Sequence, residues 1–232
     1  MKNKQTVFLI GHRGCLYEPE GTVSAFKRAI ELQVDAVEFD VRRCKTGELV
    51  VINDESVDRL TESKGLVNNL TLNELKLMNV CGKEKFLTFQ EALDYIDKRV
   101  KVLIEVKERG CVNVIANIIN DYVINKGWEK DLFFVESFLH RDLLEFHKLC
   151  SWLKLIVSYV GEPVDYAKFV QDLGIYGICN VSKYVTEEFL KDAHERGVKL
   201  YVYVPANYQE LELKRCINMG VDGIVLDYPD KL

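Results

Sequence analysis

The chain has 232 residues, 48% of them hydrophobic, and a formal net charge of −5. A chain of this length buries roughly three-quarters of its unfolded surface, so it needs no disulfide or metal staple, and its 4 prolines argue against extended disorder. The acidic balance excludes a general attraction for nucleic acid or anionic membrane, so any bound phosphate must be handled by a local site.

The N-terminal segment Met1 to Thr6 is polar and leads into a short apolar run, Val7–Ile10. That run is too short for a signal-peptide core, and no later stretch approaches the ~20 apolar residues of a membrane span. Seven cysteines (15, 44, 81, 111, 150, 179 and 216) are odd in number, widely spaced and without a Cys-x-x-Cys pair. They read as reduced thiols rather than disulfides or a zinc site, and the expected setting is the cytoplasm.

Short β-branched runs alternate with amphipathic segments. The strands expected are Val7–Gly11, Asp35–Val41, Lys101–Lys107, Leu132–Ser137, Lys154–Tyr159, Tyr176–Cys179, Lys199–Val204 and Val221–Asp227. The helices expected between them are Thr22–Gln33, Phe89–Asp97, Val112–Asn125, Arg141–Leu149, Asp165–Leu173, Thr186–Arg196 and Tyr208–Asn218. Gly127, Gly174, Gly197 and Gly220 stand where a left-handed stop precedes the next strand. Eight parallel strands separated by helices predict an α/β fold, a TIM (β/α)8 barrel filling residues 1–232. An open doubly wound sheet is the competing arrangement, and the unbroken alternation favours the barrel.

One connection breaks the rhythm. After the second strand comes Arg42–Glu48 and then a further β-like run, Leu49–Asn53, too close for a parallel crossover. An antiparallel hairpin turning at Thr46–Gly47 is expected, which would set Asn53 opposite Asp40. Glu55 to Glu84 reads as a small polar insertion (55–84) with one helical stretch, Leu72–Met78, capping the top of the barrel.

In such barrels the reacting groups lie at the carboxyl ends of the strands. Strand one ends in Gly11–His12–Arg13–Gly14. Glu38 and Asp40 share one face by their i, i+2 spacing, as do Glu105 and Lys107, and strand five ends in Ser137–Phe138. Three converging carboxylates, Glu38, Asp40 and Glu105, would repel unless a cation joins them. An all-oxygen set suits a divalent cation such as Mg²⁺ or Ca²⁺ and not zinc. A salt-bridge ring with Lys107 and Arg13 is the alternative reading.

Taken together, these blocks resemble the glycerophosphodiester phosphodiesterase family, nearly end to end. The carrying segments are His12–Arg13–Gly14, Pro19–Glu20–Gly21–Thr22, Glu38–Phe39–Asp40, Thr46–Gly47 with Val50–Asp54, and Asp58–Arg59. Ile104–Lys107, Ser137–Phe138 and Gly220–Ile224 with Asp227–Pro229 complete the set. The resemblance implies a barrel with a small insertion, a bound divalent cation, and hydrolysis of a glycerophosphodiester, a small-molecule substrate, to glycerol 3-phosphate and an alcohol. It implies Glu38, Asp40 and Glu105 as metal ligands, Arg13 and Lys107 as phosphate contacts, and His12 as one of two acid–base histidines.

The second family histidine falls on Asn53, which can donate a hydrogen bond but cannot carry a proton near neutral pH. General acid or base help is worth about 10²–10⁴-fold, so its loss should slow the reaction without removing charge stabilisation. A slow or altered phosphodiesterase, a non-catalytic phosphate-ester binding module, and a lyase releasing a cyclic phosphate all remain open. Of the other histidines, His140 alone lies near the expected rim as a substitute proton carrier, while His147 and His194 sit on helices. Gly21 replaces the family's Asn. Tyr203 replaces its usual Trp, offering either a hydroxyl to the substrate or barrel packing.

Overall fold

The computed structural model describes residues 7–232, without the side chains of Tyr208 and Gln209, so the polar segment Met1–Thr6 lies outside the described residues. The apolar runs form nine strands: β1 (Phe8–Gly11), β2 (Ala36–Arg43), β3 (Leu49–Val51), β4 (Lys101–Val106), β5 (Phe133–Ser137), β6 (Lys154–Tyr159), β7 (Gly177–Val181), β8 (Lys199–Val204) and β9 (Gly223–Leu226). All but β3 are parallel, and β1 pairs with both β2 and β9, closing an eight-stranded barrel. This is the TIM barrel that the alternation predicts.

Around it lie α1 (Val23–Glu31), α3 (Phe89–Ile96), α4 (Val112–Asn125), α5 (His140–Leu149), α6 (Lys168–Asp172), α7 (Glu187–Glu195) and α8 (Gln209–Met219), while α2 (Leu72–Leu77) belongs to the insertion. Threonines start four of these helices by accepting a hydrogen bond from the first turn: Thr22, Thr71, Thr88 and Thr186. Thr71 with Glu74 and Thr88 with Glu91 close reciprocal capping boxes. The stop glycines 127, 174, 197 and 220 have φ between 65° and 88°, a conformation only glycine adopts freely. Helix α6 is shorter than the expected Asp165–Leu173 because Tyr166 takes φ 46°, which no right-handed helix admits.

Strand side chains alternate between two cores. Ile10, Leu103, Phe134, Ile156, Tyr201 and Val225 fill the barrel floor. Leu9, Phe39, Ile104, Val135, Val157 and Val202 face the helices. A third, separate cluster joins Val50 and Ile52 of the hairpin to Val57, Leu60, Val67, Leu75, Val80 and Phe86. Those last residues fall within or beside the stretch 55–84.

The hairpin register differs from the expected one. Val41 pairs with Val51 and Arg43 with Leu49, and the Ile52 amide donates to the Asp40 carbonyl. Asp40 therefore faces Ile52, not Asn53. The reason is the loop: Cys44 N donates to Glu48 O, so three residues, Lys45–Gly47, turn the chain rather than two. Gly47 supplies the positive φ of 103° that such a loop ends on. A shift of one residue exchanges the two faces of the strand, which is why Ile52 packs into the small core.

Candidate active site

At the carboxyl ends of the strands a cavity of about 280 Å³ opens, lined by side chains from all eight barrel strands or the turns that follow them, with Arg13, Glu38, Glu105, Lys107 and Glu136 among them. A larger groove of about 1010 Å³ runs between α8 and the C-terminal turn, but its described lining holds no buried charge. The buried charges gather at the barrel mouth.

Glu38 is anchored by the turn after β1. The backbone amide of Arg13 donates to Glu38 Oε2 at 2.7 Å, and that of Gly14 to the Glu38 carbonyl at 3.0 Å. Arg13 takes the left-handed φ of 52° to do so, a cost that persists at functional positions. Gly14 is required because a Cβ there would lie 2.8 Å from the backbone of Ala25 in α1. Glu38 Oε1 is buried and has no hydrogen-bond partner among the described residues.

Glu38, Asp40 and Glu105 each bring one carboxylate oxygen within 4.8 Å of the others. They sit side by side because β2 and β4 pair Glu38 with Leu103 and Asp40 with Glu105. Lys107 Nζ lies 2.5 Å from Glu105 Oε1 and 2.9 Å from Asp40 Oδ1. The second contact is close but not aligned as a hydrogen bond. Arg13 Nε approaches Asp40 Oδ2 at 3.4 Å, and its Nη1 donates to Glu20 at 2.9 Å. Burial and mutual repulsion drive the Glu38 carboxyl well above the ordinary glutamate range. The same causes push Glu105 to about 7, with Lys107 opposing them.

A fourth carboxylate, Glu136 on β5, was not picked out by the sequence reading. It stands beside Glu105 in register, is 4% exposed, and is pushed up to about 8 by burial and by Glu105. Four buried carboxylates (38, 40, 105 and 136) thus face two half-buried cations, Arg13 and Lys107. If all six are ionised, the formal charge is 2 − 4 = −2, which a divalent cation would neutralise. The all-oxygen donor set and the unpartnered Glu38 oxygen fit such an ion and do not suit zinc.

His12 Nδ1 lies 2.6 Å from Asp227 Oδ1, just past β9. With Nδ1–H donating to that carboxylate, Nε2 presents its lone pair to the cavity, 4.0 Å from Glu38. Burial raises the Asp227 carboxyl, but hydrogen bonds from His12 and Tyr203 outweigh it and hold it below the usual range. Asp227 is a second residue the sequence reading passed over. Tyr203 packs its ring 4.7 Å from His12 and directs its hydroxyl to Asp227 at 3.2 Å.

Asn53 does not line the main cavity. It borders a narrow crevice with Arg13, Glu20 and Asp40, and its amide donates to Asp54 at 2.8 Å. Arg59 of the insertion ties this side together, donating to both Glu20 and Asp54 at 2.7–3.0 Å. His140 is not brought into the cavity: its Nε2 lies 2.9 Å from the Ser158 carbonyl oxygen and its ring stacks on Phe169. His194 bonds to Asp222 at 2.8 Å beside the amino end of β9, and His147 is exposed on α5.

Residues 12–231 match the family model described as the glycerophosphoryl diester phosphodiesterase family. A glycerophosphodiester phosphodiesterase of Caldanaerobacter subterraneus subsp. tengcongensis is 33% identical over 238 residues, spanning 97% of this chain and 95% of the relative. A crystal structure from Galdieria sulphuraria superposes with a TM-score of 0.85 at 25% identity, covering 96% of this chain and 94% of that one. An Oleispira antarctica phosphodiesterase, solved with its product sn-glycerol-3-phosphate, superposes with a TM-score of 0.84 at 23% identity over 96% and 94% of the two chains. The chain therefore belongs to the glycerophosphoryl diester phosphodiesterase family.

Proposed function

We propose that the protein hydrolyses a glycerophosphodiester to glycerol 3-phosphate and an alcohol at the barrel mouth, with a divalent cation, Mg²⁺ or Ca²⁺, held by Glu38, Asp40 and Glu105. The observation that carries this reading is the convergence of those carboxylates with Arg13, Lys107 and the His12–Asp227 pair on one cavity. Bound there, the cation would supply Lewis-acid polarisation of a phosphoryl oxygen and of the attacking water. Arg13 and Lys107 then add positive charge where negative charge builds up on phosphorus. His12, its tautomer set by Asp227, moves the proton through Nε2. Tyr203 contributes by fixing the His12–Asp227 pair, since its hydroxyl is already engaged with Asp227. Seven free thiols suit a reducing cytoplasm. Among the described residues no helix is long and apolar enough to cross a membrane.

Asn53 favours a second reading. Its amide is committed to Asp54 and carries no titratable proton, so a phosphate-ester binding module that keeps the cation site without useful turnover fits the same geometry. The two separate in one assay: release of glycerol 3-phosphate from glycerophosphocholine and glycerophosphoethanolamine with Mg²⁺, Ca²⁺ or EDTA. Turnover abolished by EDTA supports hydrolysis. No turnover, together with a ligand- and metal-dependent rise in Tm, makes the protein a binder, and cyclic phosphate as product makes it a lyase.

A further inference from the structure

The cavity has two unlike halves. The turns and strands β1, β2 and β4 supply its charges apart from Glu136, whereas β5, β6 and β7 close the other side with Phe138, Val160 and Val181, beside Asn180. Under that apolar rim lie Glu136 and Ser158, each 4% exposed. The Ser158 hydroxyl donates to Glu136 Oε2 at 3.3 Å, a long bond, and the only other donor beside this carboxyl among the described residues is the weak thiol of Cys179. Glu136 is not one of the three residues whose oxygens gather within 4.8 Å. A carboxylate buried on an apolar wall is expensive unless donors reach it, and an apolar residue would pack there at no such cost.

We infer that Glu136 is a specificity-determining residue that accepts a hydrogen bond from a hydroxyl of the substrate's polyol, two to three carbons from the phosphate. The inference rests on the phosphodiester reading of this cavity. The phosphate takes the charged half, and the carbon chain next to it lies under Phe138 and Val160 with its hydroxyl turned down to Glu136. A site built to bond a hydroxyl rejects the analogue lacking it, because the acceptor is then left buried and unpaired.

The test is calorimetric binding of sn-glycerol 3-phosphate, n-propyl phosphate and phosphoethanolamine in Mg²⁺ to the wild type, Glu136→Gln and Glu136→Leu. A buried acceptor left unpaired by the analogue predicts a wild-type preference for glycerol 3-phosphate over propyl phosphate of about 10- to 100-fold. Glu136→Leu should reduce that preference to about two-fold or less, on top of any shift that the lost charge gives both phosphates alike, and Glu136→Gln, which still accepts through its amide oxygen, should fall between. Equal wild-type affinity for the two phosphates overturns the inference. So does a loss that Glu136→Leu spreads equally over both, which marks a structural or metal-holding role, or a loss confined to phosphoethanolamine, which marks recognition of a cation. A wild type that binds none of the three removes the phosphodiester reading itself, an outcome distinct from binding them alike. Because Glu136→Leu introduces a new apolar side chain, Tm is recorded for both variants, and Glu136→Gln carries the test if the leucine variant fails to fold.

Discussion

Replacing Asp227 by Asn tests the proton-transfer assignment without touching His12. The carboxylate is buried, lies 2.6 Å from His12 Nδ1, and is held below its ordinary range by that contact. A hydrogen bond between His12 and an ionised partner is worth about 1.5–3 kcal/mol, or roughly 10- to 150-fold in a rate that depends on it. An asparagine can also donate to Nδ1 and reverse the tautomer, so the loss can approach the 10²–10⁴-fold that a positioned proton carrier contributes. The expected result is a fall in kcat of about 10²-fold with KM little changed, measured by glycerol 3-phosphate release at neutral pH beside His12→Ala. A p-nitrophenyl phosphodiester, whose leaving group needs no proton, should recover much of the loss if His12 protonates the leaving oxygen. It should recover none if His12 deprotonates water. The assignment is refuted if Asp227→Asn stays within about three-fold of wild type while His12→Ala loses its activity. A Tm series separates the two effects. Because the folded-state pKa is depressed, the Asp227 contribution to stability is present above the unfolded value and is lost as pH falls through the folded one.

Asn53→His should raise kcat by up to about 10²-fold if a missing proton carrier limits turnover and the new ring reaches the cavity past Arg13 and Asp40, with which it shares a crevice; an unchanged rate would mean that residue 53 does not limit turnover. His140→Ala should leave turnover within about two-fold, because its ring lies outside the cavity, and a dead variant would restore His140 as the proton carrier. With metal stripped, Tm should fall as pH rises from the ordinary glutamate range through about 7 and 8. Glu105 and Glu136 have raised folded-state values, so their share of stability is full at low pH and lost on ionisation. Saturating Mg²⁺ or Ca²⁺ should flatten that slope, and a slope the ions do not alter would argue against a cation site. Arg59→Ala removes four hydrogen bonds from a half-exposed guanidinium and should cost about 1–2 kcal/mol after allowing for solvent screening, read as a Tm drop of about 2–8 °C.

The barrel was legible because its strands and stop glycines are local signals: Gly174 and Gly197 announce their turns without help from distant residues. Glu38, Asp40, Glu105 and Lys107 were legible through i, i+2 spacing on strands that pair side by side. Glu136 was passed over because it lies in an apolar run. Its signal was there in Phe134, Glu136 and Phe138, which share one face two residues apart, but the run showed no second charge. Its adjacency to Glu105 is a fact of β4–β5 register that no single segment contains. Asp227 was quoted within a block yet given no role, since its partner is 215 positions away. The hairpin register went wrong by one residue because Thr46–Gly47 reads as a two-residue turn, whereas the Cys44–Glu48 bond adds Lys45 to the loop. Asn53 is thereby one residue out of the expected register with Asp40 and borders a crevice that it shares with Arg13, Glu20 and Asp40.

The pairing of β1 with β9 has a kinetic consequence. Phe8 meets Gly223 across 223 − 8 = 215 residues, and the same seam carries the His12–Asp227 bond. Contacts of such long sequence separation bear the largest loop-closure entropy and form late. During synthesis β1 emerges with one edge unpaired and must wait for nearly the whole chain to follow it. The last seam to zip up is also the one that assembles the proton-transfer pair. Opening there would disconnect His12 from Asp227 while the helices of the other seven units stay wound, so inactivation on mild heating should precede the loss of helical signal.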